Sequence, residues 1–151
     1  MLEPYTGTLD GSTHHYALRV FYEDTGLSGM VYHANYLRWF ERGRSDMLRH
    51  LGIDQAAAQQ NGEGVYAVAD VNIRYLAPAR LEDALLIETQ VEQVQAATCL
   101  LLQRAIRQQA GGVPILLCEA RIRIGFITPN GRPRRQPQGW RDAFGRFMEA
   151  P

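Results

Sequence analysis

No lysine occurs anywhere in the 151 residues, so all 16 basic side chains are arginine. That absence excludes Schiff-base chemistry on a lysine and a phosphate-binding P-loop. Sixteen acidic side chains balance the arginines to a formal net charge of zero. This argues against a dedicated nucleic-acid binder, which carries a basic excess. Long apolar runs are also missing: none approaches the roughly 18 residues of a membrane span, so a soluble, non-spanning chain is expected. Met1 to Gly11 contains Glu3 and lacks a basic start followed by an apolar stretch, so it does not read as a secretory signal, and the cytoplasm is the expected location. Cysteine is scarce. Cys99 and Cys118 stand alone, outside any CxxC pair, which argues against a zinc cage or a thioredoxin-type centre and for reduced, buried thiols. No metal and no bound cofactor are expected.

What is present suits one ordinary domain. Hydrophobic residues make up 46% of the chain, and folding at this length removes roughly 68 to 70% of the surface the unfolded chain exposes. Residues 1–13, with Pro4, Gly7 and Gly11, read as a flexible leader, and a single domain is expected over 14–151. Tyr16 to Tyr22 alternates with a period of two and predicts a strand. The turn Thr25-Gly26-Leu27-Ser28-Gly29 follows. Tyr36, Phe40, Gly43, Met47 and Leu51 recur at helical spacing and predict a long helix over 34–51, stopped by Gly52. Leu37, Trp39 and Leu48 widen its apolar surface, so it should be covered on more than one side. Asp54 caps a short helix through Gln60.

Four runs rich in Val, Ile, Leu and Tyr then predict strands over 65–76, 84–95, 97–109 and 113–128, with Leu100 to Leu102 also compatible with a helix. Pro129-Asn130-Gly131-Arg132 signals a turn, and Trp140 to Met148 a short amphipathic helix. Strand, long helix and four strands make an α+β order in which an antiparallel sheet curls around a central helix.

Chemistry concentrates at the turn before the long helix. The first amides of a helix have no intrahelical acceptor and carry the positive end of its dipole, so a carbonyl oxygen placed there is polarised. His33 or Ala34 supplies such an amide. The His33 side chain is a candidate general base or water-orienting group, with a capping or packing histidine as the alternative. His14 and His15 have weaker claims, and His50 sits at a helix C-terminus, where a cation is simply favoured. Asp24 and Glu41 are the carboxylates expected near the turn. Asp24 is alternatively a turn aspartate bonded to its own backbone, and Glu41 alternatively pairs with arginines of its own helix. Ser28 does not complete a G-x-S-x-G elbow. Arg132, Arg134 and Arg135 form either a phosphate-binding cluster or a solvated basic loop.

Tyr22-Glu23-Asp24-Thr25, Gly29-Met30-Val31-Tyr32-His33-Ala34-Asn35-Tyr36 and Phe40-Glu41-Arg42-Gly43-Arg44 strongly resemble the 4-hydroxybenzoyl-CoA thioesterase family, especially its Tol-Pal-associated acyl-CoA thioesterase branch. Residues 73–83 and Gly131 to Arg135 resemble the family's later strand end and final turn. The resemblance implies a hotdog fold, a long curled antiparallel sheet wrapped around one helix, assembled as a homodimer or a tetramer of dimers with the active site at the dimer interface. It also implies hydrolysis of an acyl-CoA thioester, with the carbonyl oxygen held by the amide at the position of His33. The catalytic set expected here is His33, positioning or deprotonating the attacking water, with Asp24 and Glu41 as supporting carboxylates, although Asp24 matches the family's preceding aspartate and not its catalytic one. Gly26, Val31, Tyr32 and Tyr36 would contact the substrate, and Arg132, Arg134 and Arg135 would bind CoA.

One position departs from the family. Its usual pattern is Glu-Asp-Thr-Asp, the second aspartate acting as nucleophile or general base, and here Gly26 stands in that place. Two other functions are therefore weighed beside the thioesterase: a non-catalytic acyl-CoA binding protein, and an interaction module for cell-envelope or lipid-synthesis proteins.

Overall fold

The period-two runs after residue 64 become strands, and the 3.6-period run before them becomes a helix lying against their apolar face. A computed structural model describes residues 1–151. The elements in chain order are β1 (Thr8–Asp10), β2 (Thr13–Arg19), a 3-10 turn (Tyr22–Asp24), α1 (His33–His50), α2 (Gln55–Gln60), β3 (Val65–Tyr75), β4 (Ala84–Val94), β5 (Thr98–Arg107), β6 (Ile115–Ile127) and α3 (Gln138–Glu149). The strands form one antiparallel sheet in the order β1-β2-β4-β5-β6-β3. The sheet's irregular registers at Val68/Asp70, Val91/Gln93 and Ala105/Ile106 mark points where such a sheet bends. This is the hotdog arrangement, and the uncertain run Leu100 to Leu102 lies in β5.

The helix sits on the middle of the sheet because its residues there are small or apolar. Tyr36, Trp39, Phe40, Met47 and Leu48 are buried against Leu85, Ile87, Leu101 and Ala105. At Gly43 the backbone comes so close that a Cβ would lie 2.9 Å from Ile87 Cγ2. Beside it the buried amide of Gln103 donates to the Phe40 carbonyl (2.8 Å) and to Thr89 Oγ1 (2.9 Å), so the polar groups under the helix are satisfied. From α3, Phe144 and Phe147 complete the core, and Trp140 packs edge-on to Phe126 at 5.2 Å. Burial pushes the thiols of Cys99 and Cys118 each up to about 12, so both are inert at neutral pH.

Two expectations need correction. The strand expected through Tyr22 ends at Arg19, because Asp24 Oδ2 accepts the Phe21 N–H (2.8 Å) and turns the chain. The leader expected over residues 1–13 contains β1, paired with β2 from Thr8↔His15 to Asp10↔Thr13. Gly11, at φ 59, supplies the left-handed backbone of that hairpin turn.

The segment before β1 is also tied to α1. Asp46, 3% exposed, accepts from Thr6 Oγ1 (2.9 Å) and the Gly7 N–H (2.8 Å), and its Oδ2 lies 2.7 Å from His14 Nε2. Burial lowers the pKa of His14, outweighing the opposite pull of Asp46, and its Nδ1 has no partner to receive a second proton. Burial alone would raise Asp46, but hydrogen bonds from His14, Gly7 and Thr6 hold it below its ordinary value.

Both groups therefore bind a proton less readily folded than unfolded, so both contribute stability that is lost as pH falls. The His14 part is complete above its unfolded pKa of about 6.5 and declines below it, and the Asp46 part goes at still lower pH. The melting temperature should fall between pH 7 and pH 5, and His14→Phe should flatten that dependence. An equally steep fall in His14→Phe would assign it to other groups.

Candidate active site

The turn into α1 is held by one carboxylate. Asp24 Oδ1 accepts from Asn35 Nδ2 (3.0 Å), while its Oδ2 holds the Phe21 amide. The Asp24 carbonyl accepts the Tyr32 N–H (3.2 Å) and again Asn35 Nδ2 (3.1 Å). Asn35 is buried, so this clasp is fixed at both ends. Within the loop the Gly26 N–H donates to Met30 O (3.1 Å) and the Gly29 N–H to Gly26 O (2.9 Å), with Gly29 at φ 77. The far side docks on the segment between β3 and β4: the Val31 N–H donates to Ala79 O (2.9 Å), and the Ala79 N–H to the Tyr36 hydroxyl (3.2 Å).

These anchors aim the first turn of α1 outward. Tyr32, the N-cap, is extended at φ −64, ψ 138, and its side chain makes no capping hydrogen bond. The amides of His33 and Ala34 consequently have no protein acceptor. They start α1 beside an open groove of about 330 Å³ whose lining includes Met30, Val31, His33, Tyr36, Tyr75 and Leu76. The His33 ring stacks on Tyr75, with centroids 4.1 Å apart and planes 13° from parallel. A larger hollow of about 660 Å³ lies beyond the other end of α1, among Ser45, Arg49, Gly52 and Asp54. Free helix amides and an apolar wall meet in the smaller groove, which makes it the candidate site.

Of the residues singled out from the sequence, His33, Val31 and Tyr36 line this groove. Gly26 and Tyr32 lie together just before α1 and are not among the lining residues: a Cβ on Gly26 would be 3.2 Å from the Tyr32 ring. Asp24 is in the turn, with both carboxylate oxygens engaged there. Glu41 is eight residues along α1, about 12 Å from His33. It accepts from Ser45 Oγ (2.7 Å) and lines a separate cleft with Arg44, Tyr66 and Val68. Arg132 and Arg135 are exposed on the turn after β6, and Arg134 Nη1 donates to the Glu63 carbonyl (2.5 Å).

That turn lies beside Val65 at the start of β3, because Ile127 pairs with both Val65 and Pro133. The groove is at Tyr75, ten residues further along β3 and about 33 Å away.

Sequence reasoning assigned no role to Asn35 or Tyr75. Both stand inside the motifs, but their contacts bridge 11 and 42 residues of chain. The one cluster with converging metal-type donors is His14, Asp46 and His50, whose ligating atoms lie within 4.8 Å of one another. His14 and Asp46 are the pair already bonded to the segment before β1, His50 Nε2 lies 3.4 Å from Asp46 Oδ2, and the cluster is at the opposite end of α1 from the groove.

A curled sheet around one helix, with unpartnered amides at that helix's start, defines the hotdog class. A family model described as the thioesterase-like superfamily matches residues 20–147, and the chain belongs to that family. It is 36% identical over 112 residues to the acyl-CoA thioesterase YbgC of Haemophilus influenzae, covering 74% of this chain and 79% of that one. With the acyl-CoA thioester hydrolase YbgC of Escherichia coli O6:H1 it shares 34% over 122 residues, 80% of this chain and 87% of that one. A solved structure of a probable thioesterase from Bartonella henselae superposes with a TM-score of 0.75 at 33% identity, over 83% of this chain and 99% of the other. The 4-hydroxybenzoyl-CoA thioesterase of a Pseudomonas species shares the fold, with a TM-score of 0.80 at 19% identity over 87% of this chain and 99% of that one.

Proposed function

We propose that this protein hydrolyses acyl-CoA thioesters to the free acid and CoA. The observation that carries the reading is the pair of free amides at the start of α1, opening on an apolar groove in a chain related to acyl-CoA thioesterases. The thioester carbonyl oxygen accepts from the His33 N–H, where the helix dipole favours the negative charge that develops as the carbon becomes tetrahedral. His33 orients and deprotonates the attacking water, the C–S bond breaks, and CoA leaves as its thiolate. Asp24 serves by holding the turn, since neither of its oxygens is free. Glu41 does not reach the groove within one chain and receives no step here.

The proposed core assembly is a homodimer, by itself or as half of a tetramer of dimers. β3 presents an eleven-residue free edge on which Val68, Val71 and Tyr75 are exposed, and an edge of that length invites pairing. Antiparallel pairing of two β3 edges about a two-fold axis brings the partner's arginine turn toward the groove, which one chain alone holds about 33 Å away. Arg132, Arg134 and Arg135 then meet the CoA phosphates. Sedimentation velocity should find a dimer, and a stable monomer would remove this arrangement. Neutralising the three arginines should weaken CoA binding and flatten its salt dependence, whereas unchanged binding would leave a solvated loop.

Release of free thiol from a panel of acyl-CoA substrates tests the reaction. Turnover of at least one substrate is expected. Binding of acyl-CoA without turnover of any would select the binding-protein reading, which Gly26 favours because no free carboxylate lines the groove.

A further inference from the structure

The His33 imidazole makes no hydrogen bond with any protein group, and its residue is exposed. One neighbour fixes it. Tyr75 closes β3, where its backbone is held in register with Cys118 of β6, and its side chain reaches across to α1. Its ring stacks on the imidazole, centroids 4.1 Å apart and planes 13° from parallel. Its hydroxyl donates to the His33 carbonyl at 3.2 Å. Behind it the buried Tyr36 ring stands edge-on at 5.6 Å and 68°, so Tyr75 is itself braced. Ring and hydroxyl therefore hold the same residue by two separate handles, side chain and backbone.

We propose that Tyr75 is a positioning residue, which selects the His33 rotamer and sets the direction of the first turn of α1. The proposal rests on the reading that His33 acts on the attacking water. A histidine at an exposed helix start has several staggered side-chain wells open to it. Stacking on one face selects among them and leaves both ring nitrogens free at the edge, one for water and one for solvent. The hydroxyl contact ties the first carbonyl of α1 to the sheet, so the amide that receives the oxyanion keeps its bearing relative to the groove. Holding a reacting group in place is worth much of a catalytic barrier, and a displacement of about 1 Å can cost about 100-fold.

Two variants separate the handles. Tyr75→Phe keeps the ring and loses the hydroxyl, and Tyr75→Leu loses both while keeping an apolar side chain. On a substrate that wild type turns over, Tyr75→Leu should lower kcat about tenfold with KM within about twofold, and Tyr75→Phe should recover most of that loss. Combined with His33→Ala, Tyr75→Leu should cost no more than Tyr75→Phe does, because the effect of the ring passes through the imidazole and only the hydroxyl contact to the backbone is left to lose. A full additional loss in the double variant would overturn the proposal, as would wild-type kcat in Tyr75→Leu.

The stack has a readout that needs no turnover. The ring protons of His33, assigned by their loss in His33→Gln, should move downfield in Tyr75→Leu and stay in place in Tyr75→Phe. Unmoved resonances in Tyr75→Leu would overturn the positioning whatever the activity. Absence of wild-type turnover on every acyl-CoA, with the resonance shift present, would instead remove the hydrolase reading. Melting temperatures of both variants identify any loss that is merely unfolding.

Discussion

Gly26→Asp should raise turnover of acyl-CoA by about 100- to 10,000-fold, the usual worth of a positioned general base. The backbone permits the change, since Gly26 is not among the residues with left-handed φ. Its amide bond to Met30 and its carbonyl bond from Gly29 are backbone contacts that aspartate retains. The three atoms nearest the new Cβ all belong to Tyr32, whose ring and hydroxyl lie 3.2 Å from it, and Tyr32 is 55% exposed, so its ring is free to swing outward. A carboxylate at position 26 stands beside Tyr32, the N-cap of α1, where the helix dipole stabilises its charged form. An unchanged kcat in a folded Gly26→Asp protein would mean that a missing carboxylate does not limit this enzyme.

His33→Pro should lower kcat about 100- to 1,000-fold below His33→Ala, because proline also removes the amide that receives the oxyanion. His33→Ala deletes only the imidazole and should itself cost at least about tenfold. Proline is well tolerated at the first position of a helix, and Tyr32 before it already has the extended conformation that a preceding residue needs. The pair thus separates side chain from backbone without breaking α1. Equal rates in the two variants would move the oxyanion to the Ala34 amide, and full activity in His33→Ala would end the role of the imidazole.

Strands and central helix were legible because burial on a sheet face and on a helix face imposes different periods, which residues 34–51 and most of each strand run between 65 and 128 keep, Leu100 to Leu102 and the register shifts excepted. The turn before α1 was legible too from its paired glycines, whereas a histidine at a helix start reads equally as a cap or packing residue. The rest depends on contacts between distant residues. β1 is three residues long, too short for a period, and exists because Gly11 turns it back onto β2. Asp46 reads as one more charge on α1 until Thr6, Gly7 and His14 are seen to converge on it. Asp24 offered itself equally as a turn residue and as a catalytic one, and only the bonds on its two oxygens placed it in the turn. Glu41 shares a helix stripe with His33, but eight residues of rise carry it to another cleft.

The two borders of the sheet are unequal. One ends in the three residues of β1, the other in the eleven of β3. A chain with long free borders on both sides is able to pass its sheet from copy to copy without end, the geometry of a filament. In the pairing proposed above, the union of two long borders would consume both and leave only short stubs facing outward, so sheet growth would stop at two copies. The same asymmetry that offers β3 to a partner would then guard against fibrous association.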